Sequence, residues 1–129
     1  MAATLADVRA LARTLPGSEE RAMTHGAAWF VRRSLFAWEC YPWPSTLEPA
    51  RAIIAAEPVL GVTLADPIDA LALMEMAPQV FFRTSDSPKP KIALRLNAVD
   101  PDHLAELVTE SWRVQAPQYL RREFDAREV

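Results

Sequence analysis

The chain has 129 residues, half of them hydrophobic and 24% charged, with a formal net charge of −3 and eleven prolines against three glycines. That is enough for a single globular domain, 1–129, burying about two-thirds of its unfolded surface, and too acidic for a protein that binds nucleic acid by overall charge. Cys40 is the lone cysteine, which excludes an intrachain disulfide and, in a monomer, a thiolate zinc site. The chain begins with no basic segment leading into an apolar core, and no run approaches the roughly 18 apolar residues of a membrane span. A cytoplasmic protein with no membrane role is expected, and no motif calls for a cofactor.

In chain order, Leu5, Val8, Leu11, Ala12 and Leu15 recur at helical spacing, with Thr4 and Asp7 placed as a capping box. Pro16 and Gly17 end that helix, and Ser18-Glu19-Glu20 reads as an acidic turn before a loop to Gly26. Segments 28–32 and 35–40 are aromatic-rich strands separated by Arg33-Ser34. Their Trp29, Phe30, Phe36 and Trp38 read first as sheet packing. Between Pro42 and Pro58 the prolines enclose a short helix, with Ser45 and Glu48 spaced as a second capping box, and 59–64 is a strand. Asp66-Pro67 starts a helix reaching Ala77. Its Ile68, Leu71, Leu73, Met74 and Met76 give a broad apolar surface that is either buried or meets a partner.

Segments 80–84 and 91–96 read as a hairpin around a polar, proline-rich turn. Alternation at period two assigns Ile92, Leu94 and Leu96 to a core face and Lys91, Ala93 and Arg95 to the other. Asp100-Pro101 repeats the helix-start signal, Leu104, Leu107, Val108, Ser111, Trp112 and Gln115 mark one face, and Pro117 stops the helix. In the charged tail, Tyr119, Leu120 and Phe124 are placed to dock a last helical turn.

Several of these local texts, taken in order, resemble the MmcQ/YjbR family. The matching residues are Leu15-Pro16-Gly17-Ser18-Glu19-Glu20, Gly26 with Phe30 and Val31, Leu35-Phe36-Ala37-Trp38, Pro78-Gln79-Val80-Phe81-Phe82-Arg83-Thr84 and Leu94-Arg95-Leu96. They continue in Val99-Asp100 through Leu104 and Leu107 to Ser111-Trp112-Arg113 with Ala116-Pro117. The resemblance implies an α+β, two-layer domain, an antiparallel sheet of about five strands with helices packed on one face, similar to the secretion chaperone-like fold. Family members are commonly labelled DNA-binding through a winged surface. This chain departs from the family where members often carry Gly-Lys between the first two strands and a His with an aromatic after the Phe-Phe strand. It has Arg33-Ser34 and Ser85-Asp86-Ser87 there, and the proline-rich stretch 42–58 reads as an insertion.

No nucleophile motif, phosphate loop or dinucleotide fingerprint is present, and His25 and His103 lack metal-ligand spacing. Glu19-Glu20 reads as an exposed acidic turn, and Cys40 as a buried, inert thiol. A non-enzymatic protein is expected. The central hairpin carries the functional signal. Arg83, Lys89, Lys91 and Arg95, with Arg32 and Arg33 on the neighbouring hairpin, can form a basic patch that meets DNA phosphates in a weak, salt-sensitive way, with Phe81 beside it to stack on a base. The same residues also read as a solvated sheet edge guarded by Lys and Pro against strand pairing. The alternative function is a protein-interaction module or homodimer using Leu71, Met74 and Met76, or the insertion around Trp43 and Ile53. A third reading is a small-molecule pocket lined by Trp29, Trp38 and Trp43.

Overall fold

The computed structural model describes residues 2–86 and 89–127, so Ser87 and Pro88 of the central turn and Glu128 of the tail lie outside the described residues. Its elements run α1 (Leu5–Arg13), β1 (Ser18–Met23), β2 (Gly26–Val31), β3 (Ser34–Glu39), α2 (Ala50–Ala56), β4 (Val59–Thr63), α3 (Pro67–Met76), β5 (Phe81–Phe82), β6 (Lys91–Arg95), α4 (Pro101–Gln115) and α5 (Gln118–Arg127). The α+β expectation holds. The strands form one six-stranded sheet in the order β1-β2-β3-β4-β6-β5, with every pairing antiparallel. The sixth strand is β1, the segment read as an acidic turn and loop. Its side chains are exposed almost throughout, so backbone pairing to β2 holds it and no apolar alternation announces it.

Local chemistry sets most helix starts. Thr4 and Asp7 form the predicted capping box on α1, the Asp66 carboxylate accepts from Ile68 N–H at the start of α3, and that of Asp100 accepts from His103 N–H at the start of α4. The box expected at Ser45 does not form. Instead α2 begins after Pro49, with no side-chain cap. The last helix is also longer than a docking turn: Leu120 is buried and Phe124 packs against Trp112 at 5.3 Å, while Tyr119 stays exposed.

One face of the sheet carries the main core. Trp29, Val31, Leu60, Val62, Leu94 and Leu96 pack there against Val8 and Ala12 of α1 and Leu104, Val108 and Trp112 of α4. Full burial of each leucine or valine is worth about 1.5–3 kcal/mol. Between Trp29 and Phe30 the β2–β3 register shifts, leaving Phe36 as the extra residue of a bulge. Phe36 and Ala37 are consequently both buried in this core, and Leu35, paired with Phe30, goes to the opposite face. The side chain of Ser111 on α4 fastens the helix at that point, accepting from Thr63 N–H at 2.8 Å and donating to the Phe36 carbonyl.

The second face is only partly covered. Ile54 of α2 packs with Val59 and Ala93, joined by Ile53, Cys40 and Phe82. Helices therefore lie on both faces, and the middle of β6 is buried on both sides: the face expected to be basic is closed at Ala93 and leaves only Lys91 and Arg95 outside. Among the described residues, no helix is long and apolar enough to cross a membrane.

Candidate functional site

What α2 leaves open on the second face is a groove over β3, β4 and β6. Its floor is a row of paired residues, Trp38, Gly61 and Ala93, whose pairing puts all three on the same side. Two of them are small, and the indole of Trp38 lies across the bare backbone of Gly61. A Cβ there would stand only 2.1 Å from Trp38 Cε2. The ammonium of Lys91, two residue pairs further along the sheet, sits 5.4 Å above the same ring.

Two adjoining cavities meet at Trp38. The first, of about 450 Å³, is walled by Leu71 and Met74 of α3 and by Trp43, and its mouth carries Arg83, Lys89 and Lys91. Its described lining includes three cations and no carboxylate. Among the described residues, none of the three is held in an ion pair. The second cavity, of about 380 Å³, shares Leu35, Trp38, Cys40, Trp43 and Thr84 with the first and runs towards the β1–β2 turn. Both volumes fall within the range of small-ligand pockets. The rim of the second is aromatic: His25 stacks on Tyr41 with ring centroids 3.8 Å apart, and Trp43 meets both rings edge-on at 4.9 and 4.7 Å. Among the described residues of that lining Glu39 is the one carboxylate, and its Oε1 accepts from Ala27 N–H at 3.0 Å.

The residues expected to bind do not all converge. Arg83, Lys89 and Lys91 come together. Arg95 stands at the other end of β6, where Glu57 takes its guanidinium at 2.6 and 3.2 Å and the Gln79 carbonyl accepts a further hydrogen bond at 2.9 Å. The hydrogen bond that Arg95 donates to Glu57, and then the charge of that carboxylate, raise the Arg95 pKa above its ordinary value. This pairing removes Arg95 from the patch. Arg32 and Arg33 form the two-residue turn between β2 and β3 and do not line the groove. Arg32 carries the positive φ of 59° that such tight hairpins need at their first loop residue.

Phe81 corrects the stacking assignment. It pairs with Leu94 and is 2% exposed in the main core, so it cannot meet a base. Trp29, placed with Trp38 and Trp43 in the pocket reading, belongs to that same core, and its Nε1–H donates to Glu20 Oε1 at 3.0 Å. The aromatic partners of the groove are instead Trp38, Tyr41 and Trp43. Trp38 was marked in sequence only by the density of aromatics around it, and Trp43 only by its place in the proline-rich stretch.

The remaining reactive groups are occupied. Arg9 holds Glu20 at 2.9 Å and Arg21 holds Glu19 at 3.2 Å, so the adjacent carboxylates do not face one another. The hydrogen bond from Arg9, its charge and the Trp29 indole keep the Glu20 carboxyl below its usual range. Burial, reinforced by the charge of Glu39, pushes the Cys40 thiol up to about 12. Among the described residues, no three of His, Cys, Asp and Glu gather to hold a metal ion.

Comparison with known proteins places this architecture. The chain is 34% identical over 127 residues to uncharacterized proteins of Mycobacterium bovis (Mb2600) and Mycobacterium tuberculosis (Rv2570), covering 95% of each chain. The crystal structure of Deinococcus radiodurans DR2400, a DUF419 protein, superposes with a TM-score of 0.66 at 18% identity over 95% of this chain and 88% of that one, a likeness of fold. The YjbR family matches residues 13–114, the whole sheet together with nearly all of α4, and the chain belongs to that family.

Proposed function

We propose that this YjbR-family chain is a non-enzymatic, cytoplasmic nucleic-acid-binding protein whose ligand lies in the groove of the second sheet face. Its phosphates meet Arg83, Lys89 and Lys91. One observation carries the reading: a chain of net charge −3 has a cavity mouth whose described lining includes three cations, no carboxylate and an aromatic floor. Phosphate oxygens take the cations while rings take the indole, a pairing used by many nucleic-acid sites. The patch is smaller than the predicted stripe, because Arg95 is neutralised and Arg32 and Arg33 stand apart.

The test is binding of a labelled 20-nucleotide DNA, as single strand and as duplex, measured by anisotropy across a salt series. Three phosphate contacts predict a slope of log K against log salt of about −2 to −3. Changing Arg83, Lys89 and Lys91 together to Ala flattens it, whereas Arg32→Ala with Arg33→Ala leaves it unchanged. Salt-independent binding, or a triple variant that binds as the parent does, overturns the proposal.

A second reading, a protein-interaction surface or homodimer, is favoured by α3, whose Ile68, Leu71 and Met76 are 68%, 51% and 65% exposed. It predicts a dimer in sedimentation velocity that Ile68→Asp with Met76→Asp abolishes. A monomer at all concentrations counts against the dimer.

A further inference from the structure

We infer that the groove takes unpaired strands, one base lying on Trp38 and the next against Trp43 and Tyr41. The inference rests on the nucleic-acid reading above and names the class of strand. The aromatic groups are inside the groove, beneath and behind the cations. Trp38 lies flat on the sheet at Gly61, with one face against backbone and the ammonium of Lys91 over its ring. A duplex presents phosphates and base edges, and the faces of its bases are covered by their neighbours in the stack. Only an unpaired base exposes the face that an indole can receive, and this stacking tolerates any sequence because every base has such a face.

The spacing of charge and ring fits a single nucleotide. Lys91 stands over Trp38, so a base sliding onto the indole displaces the ammonium towards the phosphate of the same residue. The second cavity continues the aromatic surface along the face without the cations. It shares Trp38 and Trp43 with the first, and its rim of His25, Tyr41 and Trp43 holds no lysine or arginine. The strand therefore enters with its phosphates at the β5–β6 edge and its bases directed towards the β1–β2 turn.

The test compares four labelled probes at low salt: a 15-nucleotide oligothymidine, the corresponding oligouridine, a blunt-ended two-strand duplex with the same number of phosphates, and an abasic strand of the same length. The expected result is that at least one pyrimidine strand binds about 10-fold or more tightly than the duplex. The abasic strand, and Trp43→Ala against the intact strand, each lose about 5-fold or more, the lower end of base stacking on an aromatic side chain. Trp43 is half exposed, so its removal spares the core, and circular dichroism verifies the fold. Duplex binding equal to that of the strand, or an abasic strand that binds as well as the intact one, overturns this inference and leaves phosphate binding standing. Competition by thymidine monophosphate at the same nucleotide concentration also overturns it, in favour of a free nucleotide. Failure of every probe overturns both readings.

Discussion

Replacing Gly61 by Ala tests whether the floor of the groove is built as described. Gly61 is in the middle of β4 and does not use the positive-φ region, so its backbone admits an L residue. On backbone entropy alone, Ala in a strand would be more stable than Gly by about 0.5–1 kcal/mol. The environment reverses the sign. A Cβ at this position would stand 2.1, 2.3 and 2.5 Å from Cε2, Nε1 and Cζ2 of Trp38, and the ring must lift from the strand to admit it. Overpacking of this kind costs about 1–3 kcal/mol. The difference leaves Gly61→Ala about 0–2.5 kcal/mol less stable, centred near 1 kcal/mol, where the fall in Tm is roughly 3–5 °C for a chain of this size. Thermal and urea unfolding measure it, and the double variant with Trp38→Ala isolates the cause, because without the indole the added methyl becomes neutral or stabilising. A Gly61→Ala protein more stable than the parent, or a loss that persists once Trp38 is gone, refutes the reasoning.

Three further outcomes follow from the same structure. Ser111→Ala removes a buried hydroxyl that serves both Thr63 N–H and the Phe36 carbonyl, leaving two buried backbone groups unpaired. A loss of about 2–3 kcal/mol in urea unfolding is expected, and one below about 0.5 kcal/mol contradicts the role given to this residue. Glu20 titrates below its ordinary value of 4.5 through Arg9, so its contribution to stability is fully present above that pH and is lost as the pH falls through the folded value. The stability difference between the parent and Glu20→Gln should be constant from pH 7 to 5.5 and shrink on further acidification; a difference that grows with acid would reverse the assignment. Cys40, with its thiol pushed up to about 12, should react with a thiol reagent at pH 8 only when the chain unfolds, and rapid reaction of the native protein would place it elsewhere.

The parts of this fold that could be read from sequence are those decided by short-range chemistry. Thr4 with Asp7, Asp66 with Pro67 and Asp100 with Pro101 each fix a helix start within a few residues, and the face of α4 repeats over four turns. The edge strand β1 escaped because S-E-E-R-A-M buries nothing beyond its first residue. The bulge at Phe36 escaped because it depends on how β2 and β3 meet, and it moved Leu35 onto the groove side. Cations at Arg83, Lys89 and Lys91 were visible as composition. The loss of Arg95 was not, since Glu57, the residue that neutralises it, lies 38 positions away. Phe81 turns into the core although Arg83, two residues on, is exposed, because the strand ends at Phe82 and Arg83 need not keep its alternation. Trp38 owes its role to Gly61 on the adjacent strand, a pairing that no local pattern announces.

The indole N–H resonances of the four tryptophans test the central claim most directly. Trp29 and Trp112 are buried and donate to Glu20 and to the Pro16 carbonyl, while Trp38 and Trp43 line the groove. On titration with oligothymidine at low salt, the account predicts that the Trp38 and Trp43 signals shift together, saturate at one strand per protein and revert on adding salt, with Trp29 and Trp112 unmoved. Shifts that leave Trp38 and Trp43 in place while amides of the β2–β3 turn or of α3 respond would contradict it.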